Sequence, residues 1–116
     1  MKIINKTKAT TIAENAVVAD TFLSRIVGLL NHQSLKAGEA LMIEPCQAIH
    51  MFFMKFSIDA IFVSKDDRVV GLVEAIRPFQ ASAIFWQARF VIEVPAGTIK
   101  TSRTQKGDTL EIKPYP

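Results

Sequence analysis

The sequence predicts a mainly β (α+β) fold, a small β-sandwich or barrel-like domain of about seven short strands with one short helix. Apolar and polar residues alternate over residues 52–63 and again over residues 89–94, which is the period of half-buried strands. A helical period occurs at residues 20–30. The length of 116 residues, without a linker or an internal repeat, favours a single domain that spans residues 1–116.

The N-terminal part of the chain is expected to open with β structure and then to form the helix. The β-compatible pieces lie at residues 3–4, 11–12 and 16–19. Asp20 or Thr21 can cap the first helical turn, and Asn31 can occupy the left-handed position that ends the helix. Gly28 lies inside this helix, where glycine costs about 1 kcal/mol relative to alanine, so we expect another backbone to approach closely there.

The rest of the chain is expected to consist of strands joined by turns. The predicted strands are residues 40–44, 52–63, 69–76, 89–94 and 109–113. Pro45 and Pro78 end two of them, because proline donates no hydrogen bond to a sheet. Residues 79–87 carry aromatic side chains without a clean period, which predicts a semi-ordered loop packed on the body by its aromatics.

The composition of the chain limits the kinds of partner and compartment that we expect for this protein. Fourteen Lys and Arg against 11 Asp and Glu leave a net charge of +3, and the basic residues are scattered, so we expect no nucleic-acid partner. A single cysteine cannot form an internal disulfide, which favours a reducing compartment. The first residues lack the apolar region of a signal peptide, and no clean apolar stretch reaches about 18 residues. We therefore expect a cytoplasmic protein without a membrane span.

The most distinctive short motif contains the only cysteine, Cys46, four residues before His50. A thiolate and an imidazole at this spacing could chelate zinc, or copper(I) if the thioethers of Met51 and Met54 took part. A structural zinc site needs four protein ligands, however, and the chain has one Cys and two His. We expect no metal and no cofactor, and a metal-binding carrier stays as an alternative.

The same residues could form a nucleophile and its base. Cys46 would attack, His50 would accept the proton, and Asp59 or Glu44 would orient the imidazole. The favoured interpretation is a buried thiol and a histidine satisfied by the backbone. The usual signature motifs of enzymes are absent from the sequence, which further lowers the expectation of catalysis.

Polar side chains recur along two predicted strands. Lys55, Ser57 and Asp59 share one face and would stand in a row about 7 Å apart, close enough to hold a ligand with several polar groups. Arg89 and Glu93 form a second such row. The alternative is a solvated sheet face with cross-strand ion pairs.

Several separated pieces of the chain resemble the family called domain of unknown function 192, in particular its cytoplasmic subgroup with a Cys, Ile-His, Phe-Met and Ile-Asp signature. The resemblance covers about residues 20 to 112. The matching pieces are RIVGLL at residues 25–30, ALMI at 40–43, PCQAIHMFFMKFSIDAIFV at 45–63, RP at 77–78, VIEVPAG at 91–97 and GD at 107–108.

The resemblance implies a β-sandwich-like domain with a helix and no established activity. Relatives are often encoded near pilus-assembly and secretion components, which hints at a partner. Two departures from the family pattern, at Met51 and at Phe56 with Ser57, concern the central signature. The positions that the family pattern specifies are Arg25, Cys46, His50, Met54, Asp59, Glu93 and Gly97.

Together these observations predict a non-enzymatic binding or accessory domain for a small polar ligand or a protein partner, with a pilus or secretion component as one candidate. A small hydrolase or transferase that uses Cys46, His50 and Asp59 is the alternative from another class. The expected ligand-binding residues are Arg25, Cys46, His50, Lys55, Ser57, Asp59, Arg89 and Glu93.

Overall fold

The computed structural model describes residues 1–19, 35–49, 51 and 56–114. These residues form eight strands and one short helix, so the prediction of a mainly β fold is confirmed. The elements are β1 Lys2–Asn5, β2 Thr10–Ala13, β3 Asn15–Ala19, β4 Glu39–Ile43, β5 Ile58–Val63, β6 Val69–Ile76, β7 Phe90–Pro95, α1 Thr98–Ser102 and β8 Leu110–Lys113.

The strands form two sheets. A three-stranded sheet has the order β2-β1-β8, and a five-stranded sheet has the order β3-β4-β7-β5-β6. Within the larger sheet β3 and β4 are parallel, while the pairs that involve β5 and β7 are antiparallel. Ile3, Ile12 and Leu110 of the smaller sheet share one apolar cluster with Ile92 and Val94 of the larger sheet. The two sheets are therefore held together by hydrophobic burial between their facing surfaces.

The five-stranded sheet is covered on both faces. We call the side that packs on the three-stranded sheet the sandwich face; it includes Ile61, Ile92 and Val94. The opposite side, which includes Phe62 and Val91, is called the strap face. All six residues of β5 are buried, so the expected alternation of a buried and a solvated face is wrong for this strand. Such a strand reads as a nearly continuous apolar run because both of its faces are core.

The strap face takes its name from residues 77–89, which we call the strap. The strap runs antiparallel to the segment after β4, with backbone hydrogen bonds from the Ser82 amide to the Ile49 carbonyl (2.8 Å) and from the Phe85 amide to the Gln47 carbonyl (2.7 Å). The Phe85 ring stacks on Phe62 with a centroid separation of 4.4 Å. The strap is therefore fixed by backbone pairing and by one inward aromatic ring.

Several expectations fall outside the described residues: the helix over residues 20–30, and with it Arg25, as well as His50 and Lys55. The short helix α1 lies between two predicted strands, where we expected only a connection. Within the described part of the chain, no helix is long and apolar enough to cross a membrane.

Candidate functional site

Asp59 lies on β5 with its side chain completely buried. It is opposite Val94 in the sheet register and thus on the sandwich face. Its Oδ1 accepts a hydrogen bond from the Ala75 amide (2.8 Å), and its Oδ2 accepts from the amides of Gly97 (3.0 Å) and Ile99 (2.9 Å). The expected exposed row with Lys55 and Ser57 is therefore wrong for Asp59, which fastens β6 and the start of α1 to β5.

Two of these donors belong to unusual backbone positions. Gly97, directly before α1, has φ 100°, a conformation that glycine adopts without strain. Ala75 has φ 49°, which costs a non-glycine residue about 1 kcal/mol. Because the buried carboxylate accepts a hydrogen bond from each amide, it stabilises the irregularity in β6 at Ala75 and the turn at Gly97.

Glu93 is the second buried carboxyl of the central sheet. Its register partners are Leu41 on β4 and Ala60 on β5, so it lies on the strap face in an apolar setting. Its side chain is 1% exposed, and among the groups that the structure describes its Oε2 has no hydrogen-bond partner. Burial raises the pKa of this carboxyl to about 7. A buried acid in such a setting is typical of a functional position.

An open groove of about 970 Å³ lies where the strap, the β5–β6 connection and the segment after β4 meet. Its charged lining residues are Lys65, Arg68, Arg89 and Asp66. Arg89 Nε is 2.9 Å from Glu44 Oε1, so this cation is already paired. The other lining residues are Pro45, Cys46, Gln47, Ser64, Val70, Gln87 and Ala88. We call this site the basic groove, because Lys65 and Arg68 together outweigh Asp66.

Cys46 forms part of the wall of the basic groove. The thiol is half-buried, packs against the strap-face cluster and donates to the carbonyl of Ala48, with Sγ 3.1 Å from the oxygen. Asp59 lies on the opposite face of the sheet, with both carboxylate oxygens hydrogen-bonded to backbone amides. The structure therefore does not bring Asp59 to Cys46 as an orienting group. No group of three or more potential metal ligands occurs among the residues that the structure describes.

Of the predicted ligand residues, the structure brings Cys46 and Arg89 together in the groove. Glu93 shares the strap face but is enclosed, and Ser57 is half-buried just before β5. Sequence reasoning missed Lys65 and Arg68 as candidate site residues, because they lie in the connection between the predicted strands at residues 52–63 and 69–76. Their contribution follows from the antiparallel pairing of β5 with β6, which sets that turn beside the end of the strap.

The fold and the groove define a small two-sheet β domain with an open, basic site beside one strand end. The chain belongs to the family DUF192, described as "Uncharacterized ACR, COG1430", whose profile matches residues 3–112. This confirms the resemblance that the sequence motifs indicated.

Relatives agree with this assignment, and solved structures share the fold. A UPF0127 protein of Thermococcus sibiricus is 34% identical over 94% of this chain and 73% of its own length, and one of Pyrococcus abyssi is 34% identical over 94% and 95%. The fold resembles a crystal structure of a protein of unknown function from Novosphingobium aromaticivorans, with a TM-score of 0.82 at 19% identity, covering 97% of this chain and 84% of that one. A crystal structure from Sinorhizobium meliloti gives a TM-score of 0.76 at 20% identity, covering 95% and 89%.

Proposed function

We propose that this protein is a non-enzymatic binding domain and that the basic groove takes a small polar ligand through an acidic group of that ligand. The observation that carries the proposal is the placement of Lys65, Arg68 and Arg89 around one open groove of about 970 Å³. Ligand sites commonly have volumes of about 300 to 1,000 Å³, so the groove is large enough for a metabolite-sized molecule.

The chemistry of the groove suits a carboxylate or a phosphate. Arg68 can donate two parallel hydrogen bonds to such a group, and Lys65 adds a compact positive charge. Gln47 and Gln87 supply further polar contacts, while Val70 offers apolar surface to the remainder of the ligand. Arg89, held by Glu44, forms one side of the groove.

Binding is favoured over the hydrolase or transferase alternative by the positions of two carboxylates. A Cys-His nucleophile pair needs a third group that orients the base. Asp59 instead accepts three backbone hydrogen bonds on the other face of the sheet, and Glu44 is paired with Arg89. A pilus or secretion component as partner remains a prediction of the family resemblance.

The test is a titration of ¹⁵N-labelled protein with inorganic phosphate, followed by amide chemical shifts. We expect saturable shifts at Gln47, Arg68 and Ala88, and an affinity about tenfold lower in Arg68→Gln, because a charge-assisted hydrogen bond is lost. Lys113→Gln is the matched control, since Lys113 is an exposed cation on β8, the other sheet, and it should bind like the wild type. Equal affinities of all three proteins, or no saturable shift, would overturn the proposal.

A further inference from the structure

The outer side of the strap exposes three large apolar side chains. Phe79 is 75% exposed, Ile84 52% and Trp86 74%. Phe85, which lies between Ile84 and Trp86, packs inward on Phe62. This contact anchors the backbone of the strap, while Ile84 and Trp86 face solvent. Two aromatic rings exposed to this degree on one short segment are typical of an interaction surface.

The charges of the strap have one sign. Residues 77–89 include Arg77 and Arg89 at the two ends and no Asp or Glu. The adjoining basic groove adds Lys65 and Arg68 against one acid, Asp66. Arg89 is paired with Glu44. Exposed aromatic rings flanked by Arg and Lys match an anionic lipid surface, because the rings enter the headgroup region while the cations meet the phosphates.

The groove and the exposed strap residues are linked through the backbone and by hydrogen bonds. Gln87 lines the groove and follows Trp86 directly, and the side-chain amide of Gln47, another lining residue, donates to the Trp86 carbonyl at 2.7 Å. The Phe79 amide donates to the Met51 carbonyl at 2.8 Å, which holds the other end of the strap. A surface fixed in this way loses little conformational entropy when it binds.

Resting on the proposed function, we propose that the acidic group bound in the basic groove is an anionic lipid headgroup, and that the strap docks on a membrane surface with Phe79, Ile84 and Trp86 in the interface. A second copy of the chain fits this surface less well, because a two-fold contact would bring the basic side chains of both copies together. A contact between copies of the chain is an outcome that the experiment below separates.

The single tryptophan of the chain makes the experiment direct, because all tryptophan emission reports on Trp86. We expect vesicles of phosphatidylcholine mixed with phosphatidylglycerol to shift this emission to shorter wavelength and to bring the protein down on co-sedimentation. Vesicles of phosphatidylcholine alone should do neither. Added salt should weaken the effect, since it screens the contact between exposed cations and the lipid.

Two double variants test separately whether the exposed apolar residues of the strap and the cations of the basic groove contribute to vesicle binding. We expect Phe79→Ser with Ile84→Ser, and separately Lys65→Gln with Arg68→Gln, each to weaken vesicle binding at least about tenfold. Val17→Ser is the matched control, since Val17 is an exposed apolar residue (64%) on the edge strand β3, and it should bind vesicles like the wild type. Circular dichroism checks that each variant folds.

The outcomes separate this inference from the proposed function. Phosphate binding without vesicle binding overturns the inference and leaves the proposed function standing, whereas the absence of both overturns both. Equal binding to the two kinds of vesicle overturns the headgroup assignment. A wavelength shift that appears on concentrating the protein without lipid overturns membrane docking in favour of a contact between copies of the chain.

Discussion

Asp59 and Glu93 are two buried carboxyl groups at neighbouring places in one sheet, and they differ in what surrounds them. Glu93 is paired with Ala60, the residue after Asp59, so the two side chains project from adjacent positions to opposite faces. Asp59 accepts three backbone N–H groups. The Oε2 of Glu93 accepts none from the described residues, and burial raises the pKa of Glu93 to about 7. Donors, rather than depth, decide how a buried acid behaves.

The comparison extends to the two faces of the sheet. On the sandwich face Asp59 joins β5 to β6, the next strand along the chain, and to the start of α1, where Ile99 lies 40 residues further on; this is a structural role. On the strap face lie the enclosed Glu93, the groove wall at Cys46 and the exposed Trp86. The features that suggest binding therefore gather on one side of the molecule.

The largest effect is expected for Asp59→Ala. The substitution leaves the amides of Ala75, Gly97 and Ile99 without their acceptor; the hydrogen bond of Ile99 is buried and the other two are partly buried. Each buried group left unsatisfied costs about 1 to 3 kcal/mol. We expect the free energy of unfolding, measured by urea denaturation, to fall by about 4 kcal/mol.

Asp66→Ala is the control for this change, because Asp66 is an exposed carboxylate in a turn. It should alter the free energy of unfolding by less than about 0.5 kcal/mol. A similar small change in Asp59→Ala would show that the three hydrogen bonds contribute little.

A pH-dependent effect of intermediate size is expected from Glu93. Its pKa is raised from 4.5 to about 7 in the folded protein, so the folded state keeps a proton that the unfolded chain releases. The resulting stabilisation is full below about pH 4.5, falls as pH rises, and is lost above about pH 7. We expect it to amount to about 3 kcal/mol.

Glu93→Gln isolates this contribution, because the amide has nearly the same shape and no ionisation in this range. Wild type should lose stability relative to Glu93→Gln between about pH 4.5 and pH 7, and other titrating groups cancel in the difference. Urea denaturation at several pH values measures the two curves. Parallel curves would mean that Glu93 ionises normally.

The smallest effect is expected for Gly71→Ala on the strap face. A Cβ at this position would run into the ring of Phe85, which anchors the strap on Phe62. We expect overpacking to cost about 1 to 2 kcal/mol in the free energy of unfolding and to weaken vesicle binding through the displaced strap.

Phe85→Leu in the Gly71→Ala background should recover part of this loss, since the smaller side chain makes room for the added methyl group. If the double variant is as unstable as the sum of the two single changes, the collision with the ring is not the cause.

Strand positions could be predicted well from the sequence where turns bound an apolar run. The predicted strands at residues 69–76 and 89–94 match Val69–Ile76 and Phe90–Pro95 closely. The alternating pattern gave a wrong prediction of solvent exposure for Asp59. A polar residue at a regular position in a strand looks exposed, whereas the amides that donate to Asp59 come from other elements, β6 and α1. The helix α1 escaped prediction because it has five residues and starts where Asp59 binds.

The candidate site was predictable only in part. Cys46 was a candidate because it is the single cysteine and follows a proline. Arg89 was a candidate because it is a cation on a predicted strand. Lys65 and Arg68 looked like any charged turn, and the surface they share with the strap depends on which strands pair. Local pattern identifies strands, whereas the pairing that assembles a groove from separate segments is a property of the whole fold.

The pairing of β1 with β8 bears on the order in which the molecule can assemble. These two strands lie near opposite ends of the chain, and Ile3 on β1 is opposite Ile112 on β8. During synthesis β8 leaves the ribosome late, so the smaller sheet stays incomplete and Ile3 lacks its partner until then. Nearly all residues of this domain must therefore leave the ribosome before the smaller sheet can close, and shielding of the nascent apolar surface is most needed in that interval.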